Sequence, residues 1–321
     1  MKAAVLHQFG ESPKFEDFPD PTPSEGQILI HVKAVALENV DKVMAEGSHF
    51  ASRQFLSTLP AIVGFDGIGR LVDGQLVGFG GVKAPYGAMA EKTVIPAGYH
   101  VPVPDGVDAV TAAALPASAL TSLFPLKWGA KLQPGETVLI NGATGVSGKL
   151  AVQIAKLLGA GRIVGTGRNK GSMKQVQEFG ADAVIDLKQP DEALAESFKR
   201  EAREGYDVIL DFLWGHPTEV LIRTLVPSEI RISKPIRLIQ IGEKAGSTIS
   251  LSADSLRTSG LEIRGGAAGI TPEAMSEGTN QVWDLLRANK LHMDIEQVPL
   301  KDIESAWKRT DFQGKRIVIV P

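Results

Sequence analysis

The sequence of 321 residues contains no cysteine. Disulfide bonds, thiolate metal ligands and cysteine nucleophiles are therefore excluded. Aromatic residues make up only 6% of the chain, so Val, Ile, Leu and Ala must form most of the core, as in parallel sheets that are buried on both faces. The formal net charge is only −3 and we find no polybasic segment, so we expect no nucleic-acid partner.

Long apolar runs are also scarce in the sequence. We find none that approaches the roughly 20 residues needed to span a bilayer. The N-terminus, MKAAVLHQFGESPKF, has only a short apolar stretch and does not resemble a secretory signal. We therefore expect no membrane partner and a cytoplasmic location.

Two kinds of hydrophobic pattern divide the chain. About 115 N-terminal residues predict short strands broken by Gly and Pro, among them 27–37, 61–63 and 70–77. A helix is predicted over 108–128. From residue 137 onward, strands and helices alternate with short connections, which predicts a parallel sheet with helices on both faces. A helix over 271–289 and a strand over 317–320 follow.

The strongest motif is LINGATGVSGKLAVQIAKLLGA, in which an apolar strand enters a Gly-rich turn that opens an amphipathic helix. Ala143, Gly145 and Gly148 form A-x-G-x-x-G, the pattern of a turn that binds the pyrophosphate of a dinucleotide at a helix N-terminus. A nucleotide-triphosphate loop is rejected, because Lys149 is followed by Leu150 instead of Ser or Thr. A Gly-rich turn without a ligand is the alternative.

The end of the second strand indicates which dinucleotide binds. NAD sites usually place an Asp or Glu about 20 residues after the glycines, but IVGTGRNKGS has no acid there. An arginine at this place can pair with a 2′-phosphate, so we predict NADPH; the alternative is that these cations are only solvated. The residues assigned to cofactor binding along this motif are Gly142, Ala143, Thr144, Gly145, Val146, Thr166, Arg168 and Lys170.

The chain resembles the medium-chain dehydrogenase/reductase superfamily, and within it the quinone oxidoreductase, or zeta-crystallin-like, branch. The resemblance covers nearly the whole chain and is carried by ALENVDKVMAEG, LPAIVGFDGIG, PYGAMAEKTVIP, LPASALTSLF, GATGVSG, FGADAVID and GKRIVIV. It implies an α/β fold in which a Rossmann doubly wound parallel sheet (119–269) is inserted in a GroES-like β-barrel domain (1–118 and 270–321). It also implies an active site in the cleft between the domains and a homo-oligomer, which we expect to be a homodimer.

Many members of this superfamily use a catalytic zinc whose ligands include the His of a Gly-His-Glu stretch. The matching stretch here is Gly64–Phe65–Asp66, and the segment between Gly74 and Tyr86 leaves no room for the four-cysteine zinc lobe. The six histidines show no ligand spacing, so we expect no metal. Without zinc to polarise a ketone, the expected small-molecule substrates are quinones and activated α,β-unsaturated carbonyls.

Several polar and aromatic residues are candidates for the chemistry. The resemblance places Asn39 and Asp41 near the nicotinamide, although a local turn and a helix cap are the alternatives. Where quinone reductases often carry a Tyr, two residues after this Asp, the chain has Val43. The resemblance also places Tyr86 in a loop at the cleft, where it could donate a proton; a packed rim aromatic is the alternative.

Three further residues are assigned to the cofactor. Thr121 resembles the family threonine beside the nicotinamide. Trp214 and Gly242 follow the fourth and fifth predicted strands, at the carboxyl edge where such sheets bind ligands. We therefore expect a zinc-independent NADPH-dependent quinone or enone oxidoreductase, with an enoyl-thioester or other double-bond reductase, or a non-catalytic NADPH-binding protein, as alternatives.

Overall fold

The computed structural model describes residues 1–229, 234–310, 312 and 314–321. The strands are β1 (Lys2–Leu6), β2 (Lys14–Asp17), β3 (Gln27–Ala36), β4 (Ala61–Ile62), β5 (Gly67–Arg70), β6 (Leu76–Phe79), β7 (Lys92–Pro96), β8 (His100–Pro102), β9 (Thr137–Asn141), β10 (Arg162–Gly167), β11 (Ala183–Asp186), β12 (Val208–Asp211), β13 (Ile236–Gln240), β14 (Leu261–Gly265), β15 (Ile295–Pro299) and β16 (Arg316–Val320).

The α-helices are α1 (Asn39–Glu46), α2 (Ser52–Phe55), α3 (Ala109–Ala114), α4 (Pro116–Phe124), α5 (Val146–Leu157), α6 (Lys170–Glu178), α7 (Asp191–Ala202), α8 (Gly215–Leu225), α9 (Ala253–Thr258), α10 (Pro272–Arg287) and α11 (Ile303–Lys308). A π-helical turn covers Pro125–Gly129 and a 3₁₀ turn covers Leu300–Asp302. The chain divides into two compact units, Met1–Ala117 with Asp294–Pro321 and Ser118–Met293.

The second unit contains six parallel strands in the order β11-β10-β9-β12-β13-β14. Its central strands are short apolar runs, and Val138, Leu139, Ile140 and Leu210 have no exposed surface, as expected for a parallel sheet covered on both faces. The first strand in sequence, β9, lies in the middle, and the order reverses on either side of it. This is the Rossmann order, whose carboxyl edge is the usual ligand-binding edge.

The first unit contains two sheets. A small antiparallel sheet has the order β2-β1-β4, and a larger one has the order β15-β16-β3-β5-β6-β8 with β7 also paired to β3. The C-terminal strand β16 pairs antiparallel with β3, so both ends of the chain build this unit. The predicted fold class, a Rossmann sheet inserted in a GroES-like barrel domain, is confirmed.

The predicted strand over 70–77 is wrong, because Leu71–Gln75 form a turn between β5 and β6 that Gly74 closes with φ +90°. The unit boundary also differs from the expected residue 270, since the second unit extends to Met293. The reason is the packing of α10, where a Cβ atom at Gly278 would lie 2.8 Å from the Phe124 ring.

The stretch Ala109–Gly129 is long and apolar enough to cross a membrane by length and composition alone. The expectation that no run reaches such a length is therefore wrong for this stretch. A helix in the core of a protein can have the same length and composition, and 56% of an 18-residue segment of this stretch is buried. The stretch is also not one regular helix, because Pro116 begins a new helix after α3 and the π-helical turn follows α4.

Candidate functional site

The Gly-rich turn joins β9 to α5 in the second unit. Gly142 has φ +94°, a conformation that favours glycine. A Cβ atom at Gly148 would overlap the Gly142 carbonyl oxygen and lie 2.7 Å from the Ala143 Cα. Gly148 therefore lets α5 pack tightly against the end of β9. Two of the three glycines of the turn are thus explained by the protein itself.

Gly145 is different, because no contact with the described residues requires a glycine there. Its φ is −77°, and a Cβ atom would meet only the Gly142 oxygen at 3.6 Å, an ordinary contact. Gly145 is exposed, and as the residue before α5 it has no side chain to cap the helix. The first-turn N–H groups of α5 are left for another acceptor. The missing side chain opens space over a helix N-terminus, as the approach of a pyrophosphate requires.

The other predicted residues of the turn divide between packing and surface. Ala143 is fully buried, and its Cβ lies 2.9 Å from a Cβ built at Gly165, so its side chain faces the sheet. Val146 begins α5 and is half-buried. Thr144 is half-buried too, and its Oγ1 lies 3.0 Å from a Cβ built at Gly167. The end of β10 therefore abuts the turn directly.

Arg168 and Lys170 follow β10 at this edge of the sheet. Both are exposed, and neither side chain makes a hydrogen bond or ion pair with the described part of the chain. Between them, the Asn169 side chain caps α6 by accepting the Ser172 N–H at 3.0 Å. Arg168 and Lys170 therefore follow Gly167, the glycine that packs on Thr144, by one and three residues. Both cations are unpaired among the described residues. This arrangement is suited to an extra phosphate beside the turn.

Thr166, predicted to bind the cofactor, is instead committed inside the protein. It has no exposed surface. Its hydroxyl donates to Asn141 Oδ1 at 2.8 Å and accepts the Gly142 N–H at 2.9 Å. Thr166 therefore fixes the start of the Gly-rich turn by hydrogen bonds from inside the protein, and it has no surface left for the cofactor.

The remaining residues predicted for the cofactor lie at or near the carboxyl edge. A Cβ atom at Gly242 would lie 2.7 Å from the Phe212 carbonyl oxygen, so backbone packing accounts for this glycine. Trp214 has φ +55° and is half-buried against the core beside β12. Thr121 is exposed on α4, where the neighbouring Ser122 donates to the Ser147 carbonyl at 2.9 Å in the first turn of α5.

In the first unit, Asp41 forms a reciprocal cap with Glu38 at the start of α1. Asp41 is 4% exposed, and its Oδ2 accepts the Glu38 N–H at 2.8 Å while the Glu38 side chain accepts the Asp41 N–H. Asn39 is exposed at the first position of the helix. The cap that the sequence left open as the alternative is therefore what the structure gives Asp41.

Two residues that the sequence did not point to complete a charged cluster around this cap. Arg316 on β16 lies 3.1 Å from Glu38, and Asp66 follows β4. Burial, then the negative charge of Glu38 and of Asp66, raises the pKa of Asp41 well above its usual range. Burial and the negative charge of Glu38 raise the pKa of Asp66 to about 6, and the positive charge of Arg316 partly offsets this rise. Part of the Asp66 surface is nevertheless exposed to solvent.

Tyr86 lies on a different part of the first unit. Its ring packs edge-on against Phe18, with centroids 5.9 Å apart, and its hydroxyl lies 3.5 Å from the Asp20 carbonyl oxygen, at the outer limit for a hydrogen bond. Among the described residues, no hydrogen bond joins Tyr86 to Asn39 or Asp41. In the described part of the chain, Tyr86 is therefore not hydrogen-bonded to the other two predicted catalytic residues.

This chain is similar to several known oxidoreductases. The family model of zinc-binding dehydrogenases matches residues 147–225. An NAD-dependent alcohol dehydrogenase of Sulfolobus acidocaldarius is 28% identical over 77% of this chain and 78% of its own. A probable NADPH-dependent quinone reductase of Emericella nidulans is 25% identical over the full length of both chains. A trans-enoyl reductase of Aspergillus terreus is 30% identical over 60% of this chain and 56% of its own.

The fold agrees with these sequence matches. The quinone oxidoreductase of Thermus thermophilus, solved alone and with NADPH, superposes with a TM-score of 0.78 over all of both chains, at 26% identity. The family model, the quinone reductase relatives and this solved structure together support the medium-chain dehydrogenase/reductase superfamily, and within it the quinone-reductase branch.

Within this superfamily, metal ligands are the first feature to compare. Among residues 1–229, 234–310, 312 and 314–321, no three His, Asp or Glu side chains converge as a metal site would require. The position of the expected zinc-binding His is Phe65, whose ring packs against Phe55 with centroids 5.1 Å apart. An aromatic ring there supplies no ligand atom.

Sequence reasoning missed a second polar group, which lies at the carboxyl ends of β9 and β12. Asn141, Asp211 and Thr218 are fully buried and hydrogen-bonded to one another. An Asp in an otherwise apolar strand, followed seven residues later by a Thr in a helix, is the only signal in the sequence. This signal does not reveal that Asp211 and Thr218 both bind Asn141, the residue before the Gly-rich turn.

Proposed function

We propose that this protein is an oxidoreductase that transfers hydride from NADPH to a quinone or an activated α,β-unsaturated carbonyl compound. The observation that carries the proposal is the open space over Gly145 beside the unpaired side chains of Arg168 and Lys170. NADPH supplies the hydride when bound. The protein supplies the N–H groups of α5 for the pyrophosphate and the two cations for the 2′-phosphate.

The preference for NADPH over NADH depends on Arg168. A guanidinium can form two parallel hydrogen bonds with a phosphate, and one that is not already paired loses no internal partner on doing so. No carboxylate competes for it directly after β10, where NAD sites carry an acid that binds the ribose hydroxyls. The NADPH complex of the Thermus thermophilus relative and the name of the Emericella nidulans relative agree with this cofactor.

The chemistry of the acceptor follows from the residues that the chain lacks. Reduction of a simple ketone needs a strong electrophile or a positioned acid to stabilise the alkoxide. The chain has no cysteine, and Phe65 stands where the superfamily's zinc-binding His is expected. A quinone or enone spreads the added charge by conjugation, so a weak donor or water can deliver the proton.

A second candidate is the reduction of an enoyl thioester or another conjugated double bond. The trans-enoyl reductase of Aspergillus terreus, at 30% identity, is the observation that favours it, although the match covers only 56% of that relative. Val43 stands at the position where quinone reductases often carry a Tyr, and this difference also keeps the second candidate open. Both reactions use the same cofactor site and differ in the acceptor.

The test follows NADPH oxidation at 340 nm with the purified protein. Wild-type protein is mixed with NADPH or NADH and with 1,4-benzoquinone, 9,10-phenanthrenequinone or a crotonyl thioester. We expect quinone-dependent oxidation of NADPH and much slower oxidation of NADH. Oxidation by the thioester alone would favour the second candidate. Binding of NADPH without oxidation by any acceptor would contradict both and favour a non-catalytic protein.

A further inference from the structure

Asp211 ends β12 with its carboxylate fully buried. Oδ1 accepts hydrogen bonds from Asn141 Nδ2 at 3.1 Å and from the N–H groups of Leu213 and Trp214 at 2.9 and 3.0 Å. Oδ2 accepts the Thr218 hydroxyl at 2.6 Å. A carboxylate inside a protein is costly unless donors surround it, and here four donors do so. They come from β9, from the loop after β12 and from α8.

The carboxylate fixes the direction of the hydrogen bonds beneath the Gly-rich turn. An ionised Asp211 can only accept, so the Asn141 amide must present its NH₂ group to Asp211 and its oxygen to Thr166. The Thr166 hydroxyl then donates to Asn141, and its lone pairs remain for the Gly142 N–H. Three successive hydrogen bonds therefore join Asp211 to the first residue of the turn.

The same carboxylate holds the loop after β12. Trp214 has φ +55° and ψ −162°, a backbone conformation that is strained for a residue other than glycine and persists only where its surroundings enforce it. Its N–H is bound by Asp211, and the neighbouring Leu213 Cδ2 lies 3.0 Å from a Cβ built at Gly142. The loop and the Gly-rich turn are thus in contact as well as joined through one acceptor.

We infer that Asp211 is a positioning residue for the cofactor, which holds the Gly-rich turn and the Trp214 loop in the geometry that receives the pyrophosphate. The inference rests on the proposed NADPH site. It assigns no contact between Asp211 and the cofactor, since the carboxylate is buried below the turn. The role depends on the negative charge of Asp211 and on its two acceptor oxygens, so the isosteric amide, which has no charge and one acceptor oxygen, is the variant that weakens it.

The test compares D211N with the matched variant D191N. Asp191 is an exposed acid of the same unit, paired with His216 and Arg223. An amide at 211 keeps its oxygen toward Asn141 and the two backbone N–H groups, because those N–H groups can only donate. Its NH₂ group then replaces Oδ2, so the acceptor of the Thr218 hydroxyl and the negative charge shared by all four hydrogen bonds are lost. We expect the Kd for NADPH, measured by cofactor fluorescence, to rise about tenfold or more in D211N, as loss of a charged hydrogen bond implies, and to stay unchanged in D191N.

Two further readouts separate positioning from a general loss of structure. Because Arg168 and Lys170 lie outside the network, D211N should weaken NADPH and NADH by the same factor and leave their affinity ratio unchanged. The Trp214 emission, obtained as the difference from a W214F background, should also shift. A merely structural role would lower the melting temperature without changing the Kd of the folded protein.

A second variant keeps the inference testable if D211N does not fold. T166V cuts the link to the Gly142 N–H but leaves all four donors of Asp211 in place. It should raise the Kd for NADPH with little change in Trp214 emission. An unchanged Kd in folded D211N, or in T166V if D211N does not fold, would overturn the inference. Failure of the wild-type protein to bind NADPH or NADH would instead overturn the proposed function along with it.

Discussion

The Gly-rich turn in the second unit was predicted from a local motif and the site at the start of α1 in the first from the family resemblance, with different outcomes. At the turn, the structure explains Gly142 by its φ and Gly148 by packing, and leaves Gly145 open to a ligand. At α1, Asp41 is buried in a reciprocal helix cap with Glu38, and Asn39 is exposed. A function carried by backbone geometry is local, whereas the role of a polar side chain depends on what the fold packs around it.

The largest effects, on stability and on NADPH binding, are expected when Gly148 or Gly145 of the turn is replaced by alanine. G148A forces a Cβ atom against the Gly142 carbonyl oxygen, so we expect it to destabilise the protein by roughly 1–3 kcal/mol and to abolish NADPH binding. G145A is the matched variant: its Cβ meets the protein only at 3.6 Å. It should unfold at nearly the wild-type temperature and still bind NADPH poorly.

Thermal unfolding and fluorescence titration of both variants check this expectation. Equal affinity of G145A and wild type would show that the space over Gly145 is not the cofactor site. Equal stability of G148A and wild type would show that the turn can relax around the added methyl group.

The next effect concerns the choice of cofactor. Removing the guanidinium in R168A should raise the Kd for NADPH by about 10- to 100-fold, the range for losing hydrogen bonds to a charged group, and leave the Kd for NADH unchanged. R257A, an exposed arginine of the same unit paired with Asp254, is the control. A parallel loss for NADH in R168A would mean that the side chain does not recognise the 2′-phosphate.

In the first unit, the charged cluster predicts a pH effect on stability. The pKa of Asp66 is raised to about 6 from 3.8, so the folded protein holds this proton more tightly than the unfolded chain. The stabilisation is complete below about pH 3.8 and is lost as the pH rises through 6. D66N should therefore melt above the wild type at pH 8, by no more than about 2 °C because Asp66 is partly solvated.

The difference between D66N and wild type should vanish toward pH 4, whereas D105N, at an exposed loop position, should show no such trend. The charges facing Asp66 are those of Glu38, Asp41 and Arg316. A gain of D66N that does not depend on pH would rule out this cluster as its cause.

The smallest effect, a change in turnover, is expected when the Tyr86 hydroxyl is removed. Its hydroxyl makes at most one long hydrogen bond, and its ring packs on Phe18. Y86F keeps the ring, so turnover with 9,10-phenanthrenequinone should fall by less than about threefold, well below the 10²–10⁴-fold contribution of a proton donor. A loss of 100-fold or more would restore the catalytic role predicted for Tyr86.

The parts of the fold that could be predicted are those determined by patterns of contiguous residues. Apolar runs predicted most of the parallel strands, and the glycine pattern predicted the turn that opens α5. The return of the C-terminal strand to the first unit came from the family resemblance. The hairpin at Gly74 and the extension of the second unit to Met293 could not be read from periodicity, because a turn and a packing partner decide them.

The candidate sites follow the same division. The Gly-rich turn, Arg168 and Lys170 stand within one βαβ segment and could be predicted. Glu38 and Arg316 meet only because β16 pairs with β3, at the two ends of the chain. Asp211 was missed because its donors come from three separate elements. The homodimer and the cytoplasmic location stay predictions.

The central claim is that the turn and Arg168 bind NADPH in preference to NADH. The most direct measurement is titration of the wild-type protein with each cofactor under identical salt and pH, followed by the change in cofactor fluorescence. The account predicts that NADPH binds at least about tenfold more tightly than NADH, a difference of about 1.4 kcal/mol. Equal or tighter binding of NADH, or no binding of either, would contradict it and leave Arg168 and Lys170 as solvated surface charges.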